Sequence, residues 1–421
     1  MRIHCVSLGC PKNLVDSENI IGVLGASGAS ITPLPEDCDV MILNTCAFIK
    51  PALEETQREI ENALHRMSNG KRLFVLGCAV NRFGRRLRRQ FPQVSGWYEI
   101  KDIPKLIKAL APDAPGKRTR LPTTHGYAYL KISEGCSNNC TYCTIPSIKG
   151  PYRSITTQEL LAEARELAGL GIKELILIGQ DTTRYGMDTG GQTALRSLLR
   201  RLSLIEGIEW IRIMYAHPKT IDDDILQEIE QNDKICKYID LPIQHVSSRI
   251  LKRMKRGTTA KSIENVLKTL KKIIGFSVRT TLIVGFPGET DAEFNELMQF
   301  VDKGYFDWLG VFPYHCEEGT EAAKLVQTPE KIIRERYEKA VDMQQRIIAR
   351  ANRKRLNRPY RVLVHSFDGH NYIGHAEFNA PDIDSQILVK GDNLQPGKFY
   401  DVRIADIKDG DLISEPVEVG D

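Results

Sequence analysis

Three cysteines fall within eight residues of one another, Cys136, Cys140 and Cys143, in the stretch EGCSNNCTYCTIP from position 134 to 146. Three thiolates spaced C-x3-C-x2-C can bind one metal centre without help from the rest of the fold, so the rest of the chain has to be built around them. The number is informative. A closed structural zinc site takes four ligands, usually as two separated C-x2-C pairs. A cubane iron–sulfur cluster held by three cysteines keeps one iron open for a further ligand. Soft thiolates suit either metal, so ligand type alone leaves a zinc site as the alternative, beside three unligated core cysteines.

A length of 421 residues is too great for one ordinary core and implies two or three domains. With 42% hydrophobic and 27% charged residues the composition is globular, and no apolar run reaches the ~20 residues that span a bilayer. No membrane association is expected. The amino terminus, MRIHCVSLGC, lacks the basic region and apolar core of a signal peptide. A cytoplasmic location follows, where thiols stay reduced. The ten cysteines therefore read as metal ligands or core residues, not disulfides.

Residues 1–112 alternate strand and helix patterns. Strands are expected at 2–8, 40–44 and 73–77, helices at 14–24 and 51–67, which argues for a parallel α/β sheet. Cys10, Cys46 and Cys78 each stand just past the end of one of those strands, in SLGC, LNTC and VLGC. Ligands bind at that edge of an open α/β sheet. The spacings of 36 and 32 residues equal about one strand–helix–strand unit, so three thiolates should converge from adjacent loops. Glycine or a small polar residue before each lets the backbones approach. The plainer reading is three small residues closing apolar strands. Cys5 and Cys38 do not share the pattern and read as core. The basic run NRFGRRLRR at 81–89 reads as a solvated helix face, with contact to RNA or ribosome surface as the alternative. APDAPGKRTR at 111–120 reads as a linker.

Residues 122–355 repeat the alternation about six times. Strands are expected at 127–132, 175–178, 210–214, 237–241, 278–284 and 308–312, with helices such as 157–170, 222–230, 261–273 and 291–302 between them. About six parallel strands with outer helices make a partial TIM-like (β/α) barrel, whose chemistry sits at the carboxyl ends of the strands. The first strand delivers the cysteine loop. GQDTT follows the second, DLPIQH closes the fourth and GFPGET closes the fifth. A glycine-rich turn after a strand does not by itself mean cofactor binding. Arg279 pairs either a ligand carboxylate or a core acid. His217 and His245 read as structural, and Cys236 and Cys316 as core or incidental. A long helix with a basic end is expected at 328–358.

Residues 356–421 return to strands alone, at 360–365, 372–377, 386–389, 400–406 and 411–416, which suggests a small OB-like β-barrel. Such barrels often bind single-stranded RNA through a basic face. From Pro359 onward this one carries 12 Asp and Glu against 5 Lys and Arg. Phosphate binding wants the opposite sign, so a basic polypeptide is the better partner.

The C-x3-C-x2-C spacing resembles the signature of radical S-adenosylmethionine enzymes. The two trios, their order and the terminal barrel together resemble the methylthiotransferases, radical enzymes with a second cluster and a terminal TRAM domain, over essentially the whole chain. GCPKNLVDSE, GQDTTRYG, YIDLPIQH and APDID resemble the branch that modifies a ribosomal protein rather than the branch that modifies transfer RNA. The family often has a G-x-x-R-S-R run after the third cysteine; here Lys149-Gly150-Pro151-Tyr152-Arg153-Ser154 ends in Ile155, and Y-S-x-E-E-G-T becomes YHCEEGT at Tyr314.

The resemblance implies three domains: a methylthiotransferase domain (1–112), a radical S-adenosylmethionine core (122–355) and a TRAM domain (356–421). It implies two 4Fe–4S clusters, one on Cys136, Cys140 and Cys143 and an auxiliary one on Cys10, Cys46 and Cys78, each with an open iron. Gln180 would meet the amino group of S-adenosylmethionine and Tyr142 would lie near its adenine. No protein side chain is singled out as catalytic, because the clusters carry the chemistry. The implied reaction adds a methylthio group to the β-carbon of an aspartate of small-subunit ribosomal protein twelve. One S-adenosylmethionine gives the methyl group and a second gives the radical. That C–H bond has no useful acidity, so the step falls to a cofactor, and the strand ends of the two domains are expected to face each other across the substrate. A flavodoxin or ferredoxin would supply the electron. Two rivals remain: the same chemistry on an adenosine of transfer RNA, and a non-catalytic metal-stabilised module that binds ribosomes or RNA.

Overall fold

A computed structural model describes residues 1–67, 70–114 and 119–417. Of the expected linker, residues 115–118 lie outside the described residues, as do residues 418–421 at the end of the expected terminal barrel. The chain forms two compact units. The first takes residues 1–123 with 134–137 and 143–152; the second takes 124–133, 138–142 and 153–421.

The first unit is built on a parallel sheet of β1 (Arg2–Ser7), β2 (Ser30–Ile31), β3 (Val40–Thr45), β4 (Arg72–Gly77) and β5 (Gly96–Tyr98), in the order β2-β1-β3-β4-β5. All six residues of β3, VMILNT, are buried, as a central strand covered on both faces requires. Its alternate side chains feed two cores. Ile42 joins Ile3, Ile20 and Leu106 on one face, and Leu43 joins Leu53, Ile60 and Leu87 on the other. The helices are α1 (Pro11–Ala26), α2 (Lys50–Arg66), α3 (Cys78–Gln90), α4 (Ile103–Leu110) and the short α5 (Ile145–Lys149). Proline near the start suits both α1 and α2, where its missing N–H costs nothing. The basic run forms most of α3: Leu87 is buried, while Arg85, Arg86, Arg88 and Arg89 are exposed.

The second unit contains a parallel sheet of β6 (Tyr127–Lys131), β7 (Glu174–Ile178), β8 (Trp210–Ile213), β9 (Ile235–Asp240), β10 (Ser277–Val284) and β11 (Trp308–Pro313). Spatial order follows chain order, with β6 and β11 as the edges, so the barrel is partial. Helices begin at capping boxes, Thr156 with Glu159 and Thr290 with Glu293, the second ending the GFPGET turn. The long helix runs Glu330–Arg353, shorter than 328–358; beyond it Asn357 takes φ +59° and its N–H donates to Ile404 O, which turns the chain into the terminal strands.

The terminal strands β12 (Pro359–Phe367), β13 (Tyr372–His375), β14 (Ile387–Val389), β15 (Lys398–Lys408) and β16 (Asp411–Pro416) close into a barrel in the order β12-β13-β14-β16-β15. This barrel is fastened to side chains of the β6–β11 strands. Arg212 in β8 donates to Glu377 O at 2.7 Å, to Ala376 O at 3.0 Å and to Glu174 at 2.7 Å. Trp308 Nε1 donates to Phe378 O at 2.6 Å, and the Tyr127 and Tyr129 hydroxyls donate to Asp382. The APDID segment thus meets the barrel floor: Asp384 accepts from Tyr238 at 2.8 Å and lies 3.4 Å from Arg279. Arg279 also pairs with Asp240 at 3.0 Å, so of its two expected partners it takes core acids.

Candidate cysteine sites

Cys10, Cys46 and Cys78 follow β1, β3 and β4, three adjacent strands, at their carboxyl ends. The close backbone approach is real. Gly9 has φ +85°, and a Cβ there would stand 2.6 Å from Cys46 Cβ. Gly77 has φ +102°, and a Cβ would stand 2.4 Å from Asn44 Oδ1 and 2.7 Å from Thr45 O. Only glycine meets both demands. Asn13, in the first turn of α1, stitches the three loops together. Its Nδ2 donates to Leu8 O and Thr45 O, each at 3.0 Å, and its Oδ1 lies 3.8 Å from Cys78 Sγ.

A cation completes this site. Lys149 ends α5, which is held by Asn81 Nδ2 donating to Ile148 O (2.8 Å) and Thr144 Oγ1 donating to Phe48 O (3.0 Å). Its side chain is 1% exposed; Nζ lies 3.4 Å from Glu134 and 3.7 Å from Asp16 yet makes no hydrogen bond. Burial alone would lower its pKa, but Asp16, Glu134 and the thiols of Cys78 and Cys10 raise it. Burial pushes Cys78 up to about 12 and raises Cys46, against the attraction of Lys149 in both cases. Buried thiols of this kind are neutral until a metal takes them as thiolates. Among the described residues no three His, Cys, Asp or Glu side chains group as ligands of one ion. A cubane distributes its cysteines over different irons and does not require that. Soft donors and a buried ammonium without hydrogen bonds fit an anionic iron–sulfur group.

The other trio is divided between the units, Cys136 and Cys143 in the first and Cys140 in the second. In the first, Cys136 N–H donates to Gly150 O at 3.0 Å. In the second, Thr141 is tied on both sides, its N–H to Met254 O (3.1 Å) and its O to Ala322 N–H (2.8 Å). Arg256 Nη1 stands 3.7 Å from Cys140 Sγ and Nη2 donates to Pro242 O at 2.8 Å, while its Nε is buried without a hydrogen bond. Tyr142 packs edge-on against Phe286, centroids 6.4 Å apart. Gln180 is half-buried after β7. Its neighbour Asp181 is buried and accepts from Asn138 of the cysteine loop at 2.9 Å and from Thr183 at 2.8 Å; burial raises its pKa. Gln244, at φ +67°, leaves Oε1 buried with no hydrogen bond. Polar atoms left unmet at the carboxyl ends of strands are what a polar cofactor needs.

Both histidines belong to the frame. His217 Nδ1 accepts from Lys219 N–H, and burial with the nearby Arg256, Lys219 and Arg184 lowers its pKa to about 2. His245 accepts from Ser247 N–H and meets Glu289, which also pairs with Arg336 at 3.0 Å. Cys236 is buried and Cys316 exposed. Asn13, Asp181, Gln244 and Arg256 escaped the sequence reading as site residues. Asn13, Asp181 and Gln244 carried a signal, through their place in GCPKNLVDSE, GQDTT and DLPIQH; Arg256 carried none.

A partial parallel barrel with a three-cysteine loop after its first strand defines a radical S-adenosylmethionine enzyme, and residues 130–301 match the radical SAM superfamily. Residues 2–98 match the uncharacterized protein family UPF0004 and residues 358–417 the TRAM domain. Such an enzyme uses a 4Fe–4S cluster and S-adenosylmethionine. Two relatives, from Trichlorobacter lovleyi and Acetivibrio thermocellus, are each named ribosomal protein uS12 methylthiotransferase RimO. They are 41% and 42% identical over 99% of this chain and 98% of their own. The chain belongs to that family of radical methylthiotransferases. The radical S-adenosylmethionine methyltransferase TsrM from Kitasatospora setae shares the fold, with TM-score 0.55 at 12% identity over 74% of each chain. Among the described residues no helix is long and apolar enough to cross a membrane.

Proposed function

We propose that this chain methylthiolates the β-carbon of an aspartate of small-subunit ribosomal protein uS12, using two S-adenosylmethionine molecules and two 4Fe–4S clusters. The observation that carries the reading is the pair of cysteine trios, each at the carboxyl ends of parallel strands, in a chain related along its whole length to enzymes bearing that name. When bound, the group on Cys136, Cys140 and Cys143 would supply the electron that cleaves S-adenosylmethionine, the source of the radical, and that on Cys10, Cys46 and Cys78 would supply the sulfur.

The chain's own residues bind and orient. Gln180 and the unmet Gln244 Oε1 and Arg256 Nε offer hydrogen bonds to the polar end of S-adenosylmethionine, and Tyr142 offers a ring face to its adenine. Asp181 fixes the cysteine loop through Asn138, so the loop does not have to be ordered when the cofactor arrives.

The partner is a basic protein. Asp368, Asp392, Asp401, Asp406, Asp409 and Glu415 are exposed on the terminal barrel. That barrel is fastened to the strands from Tyr127 and Trp308 at their starts to Arg212 and Tyr238 within them, while Cys140 lies in the loop after the carboxyl end of β6. A partner seated on it must span roughly 20 Å, the length of a six-residue strand, to reach the chemistry. An extended basic polypeptide can do this. An electron comes from a flavodoxin or ferredoxin.

The test is mass spectrometry of uS12 and of transfer-RNA nucleosides from the same cells, with the gene present and deleted. Loss of one S–CH3 group from a uS12 aspartate is the expected result. Loss from an adenosine instead would overturn the substrate and keep the chemistry. Zinc in place of about eight irons per chain would favour a non-catalytic module.

A further inference from the structure

We infer that Lys149 is the positioning cation of the Cys10–Cys46–Cys78 site, holding the anionic ligand of that site's open iron and setting the charge around it. The inference rests on the reading that these cysteines hold a cluster. Three observations carry it. First, an ammonium has three donors, and burying them unmet is costly. Lys149 Nζ is buried without one hydrogen bond, its carboxylate neighbours at 3.4 and 3.7 Å. Second, Lys149 does not come from the strand–helix repeats of its own unit. It arrives on α5, six residues after Cys143, and Asn81 and Thr144 pin that helix down. Third, the charge balance around it is one-sided. Asp16 and Glu134 lie within 4 Å of its Nζ, and the sulfurs of Cys10 and Cys78 add their attraction to it. Three thiolates already make the bound group negative, and a sulfur anion on its fourth iron makes it more so. Lys149 is the donor that offsets this.

A purely structural ion pair would change stability when removed and leave the cluster's properties alone. The test uses the full-length chain with Cys136, Cys140 and Cys143 replaced by alanine, so that only one cluster remains. Iron content is measured, then the midpoint potential by electron paramagnetic resonance, then the affinity for added sodium sulfide. Lys149→Met should lower the potential, because a positive charge no longer favours the reduced state, and weaken sulfide binding about tenfold or more. Lys149→Arg should restore both in large part. Glu134→Gln should raise the potential, since it removes a negative charge from the same site. An unchanged potential and sulfide affinity in Lys149→Met with four irons bound overturns the inference alone. If that variant loses its iron, a potential unmoved by Glu134→Gln overturns it. If the triple-alanine parent binds no iron, the two-cluster reading fails and this inference falls with it.

Discussion

Arg212 and Lys149 are both cations withdrawn from water, one in each compact unit, and their surroundings differ in kind. Arg212 is met at every nitrogen: a carboxylate and two backbone carbonyls each take one bond, and its guanidinium lies 4.9 Å from the Tyr238 ring centroid. Lys149 has two carboxylates nearby and no hydrogen bond. A buried charge met in this way is a fixture of the fold, and its loss leaves partners stranded. An unmet one is held ready for something that arrives later. The two also differ in place, Arg212 within a strand of its sheet and Lys149 beside loops at the carboxyl ends of the strands of the other.

The contrast can be broken most forcefully at the sulfurs. Cys140→Ala should abolish formation of deoxyadenosine, whereas Cys46→Ala should keep that cleavage and yield no methylthio product, both read by mass spectrometry of the reaction. Equal loss of cleavage in the two variants would sink the division of labour. Next comes Arg212→Met, which strands Glu174 and should cost about 3–5 kcal/mol in urea unfolding. Lys149→Met should cost less than half of that, and equal losses would erase the distinction drawn between the two cations.

Acid titration sharpens the same contrast. Burial would raise the Glu174 pKa, but Arg212 and His375 outweigh it and bring the group from 4.5 down to about 2. The folded state therefore binds fewer protons than the unfolded state between those values. The stability this contributes is present above 4.5 and is lost as pH falls toward 2, on the order of 3 kcal/mol. Glu174→Gln should remove that part of the pH slope, and an unchanged slope would contradict it. A local effect is expected at the glycines. Gly77→Ala combines φ +102° with a clash and should cost about 1–3 kcal/mol and lower the iron bound, whereas Gly28→Ala, at φ +88° with open space around it, should leave the iron unchanged.

What could be read in the sequence follows the range of the interactions. Cys136, Cys140 and Cys143 needed only local spacing. Cys10, Cys46 and Cys78 needed one further idea, that each ends an apolar strand of a parallel sheet. The six strands and the terminal barrel were visible as periodicity, because each strand's pattern is its own. Arg212 was invisible: in WIRI it is one charged residue in an apolar strand, and its acceptors lie 164 and 165 residues further on. Lys149 stood out only as the start of a departure from a basic run. Asn13 showed only as a letter of GCPKNLVDSE and Arg256 gave no sign, because what they hold is set by the folded arrangement of distant loops.

The fastening of the terminal barrel carries a consequence for how the protein is made. Ribosomes deliver a chain from its amino end, so strands β6 to β11 emerge well before Ala376, Glu377, Asp382 and Asp384. Until those arrive, Arg212 lacks two acceptors and Arg279 lacks one of its two carboxylates. The central sheet therefore cannot finish its floor until residues 376–384 have been made. A transcript cut short before them yields an enzyme with an open base rather than a working core that has lost only its partner.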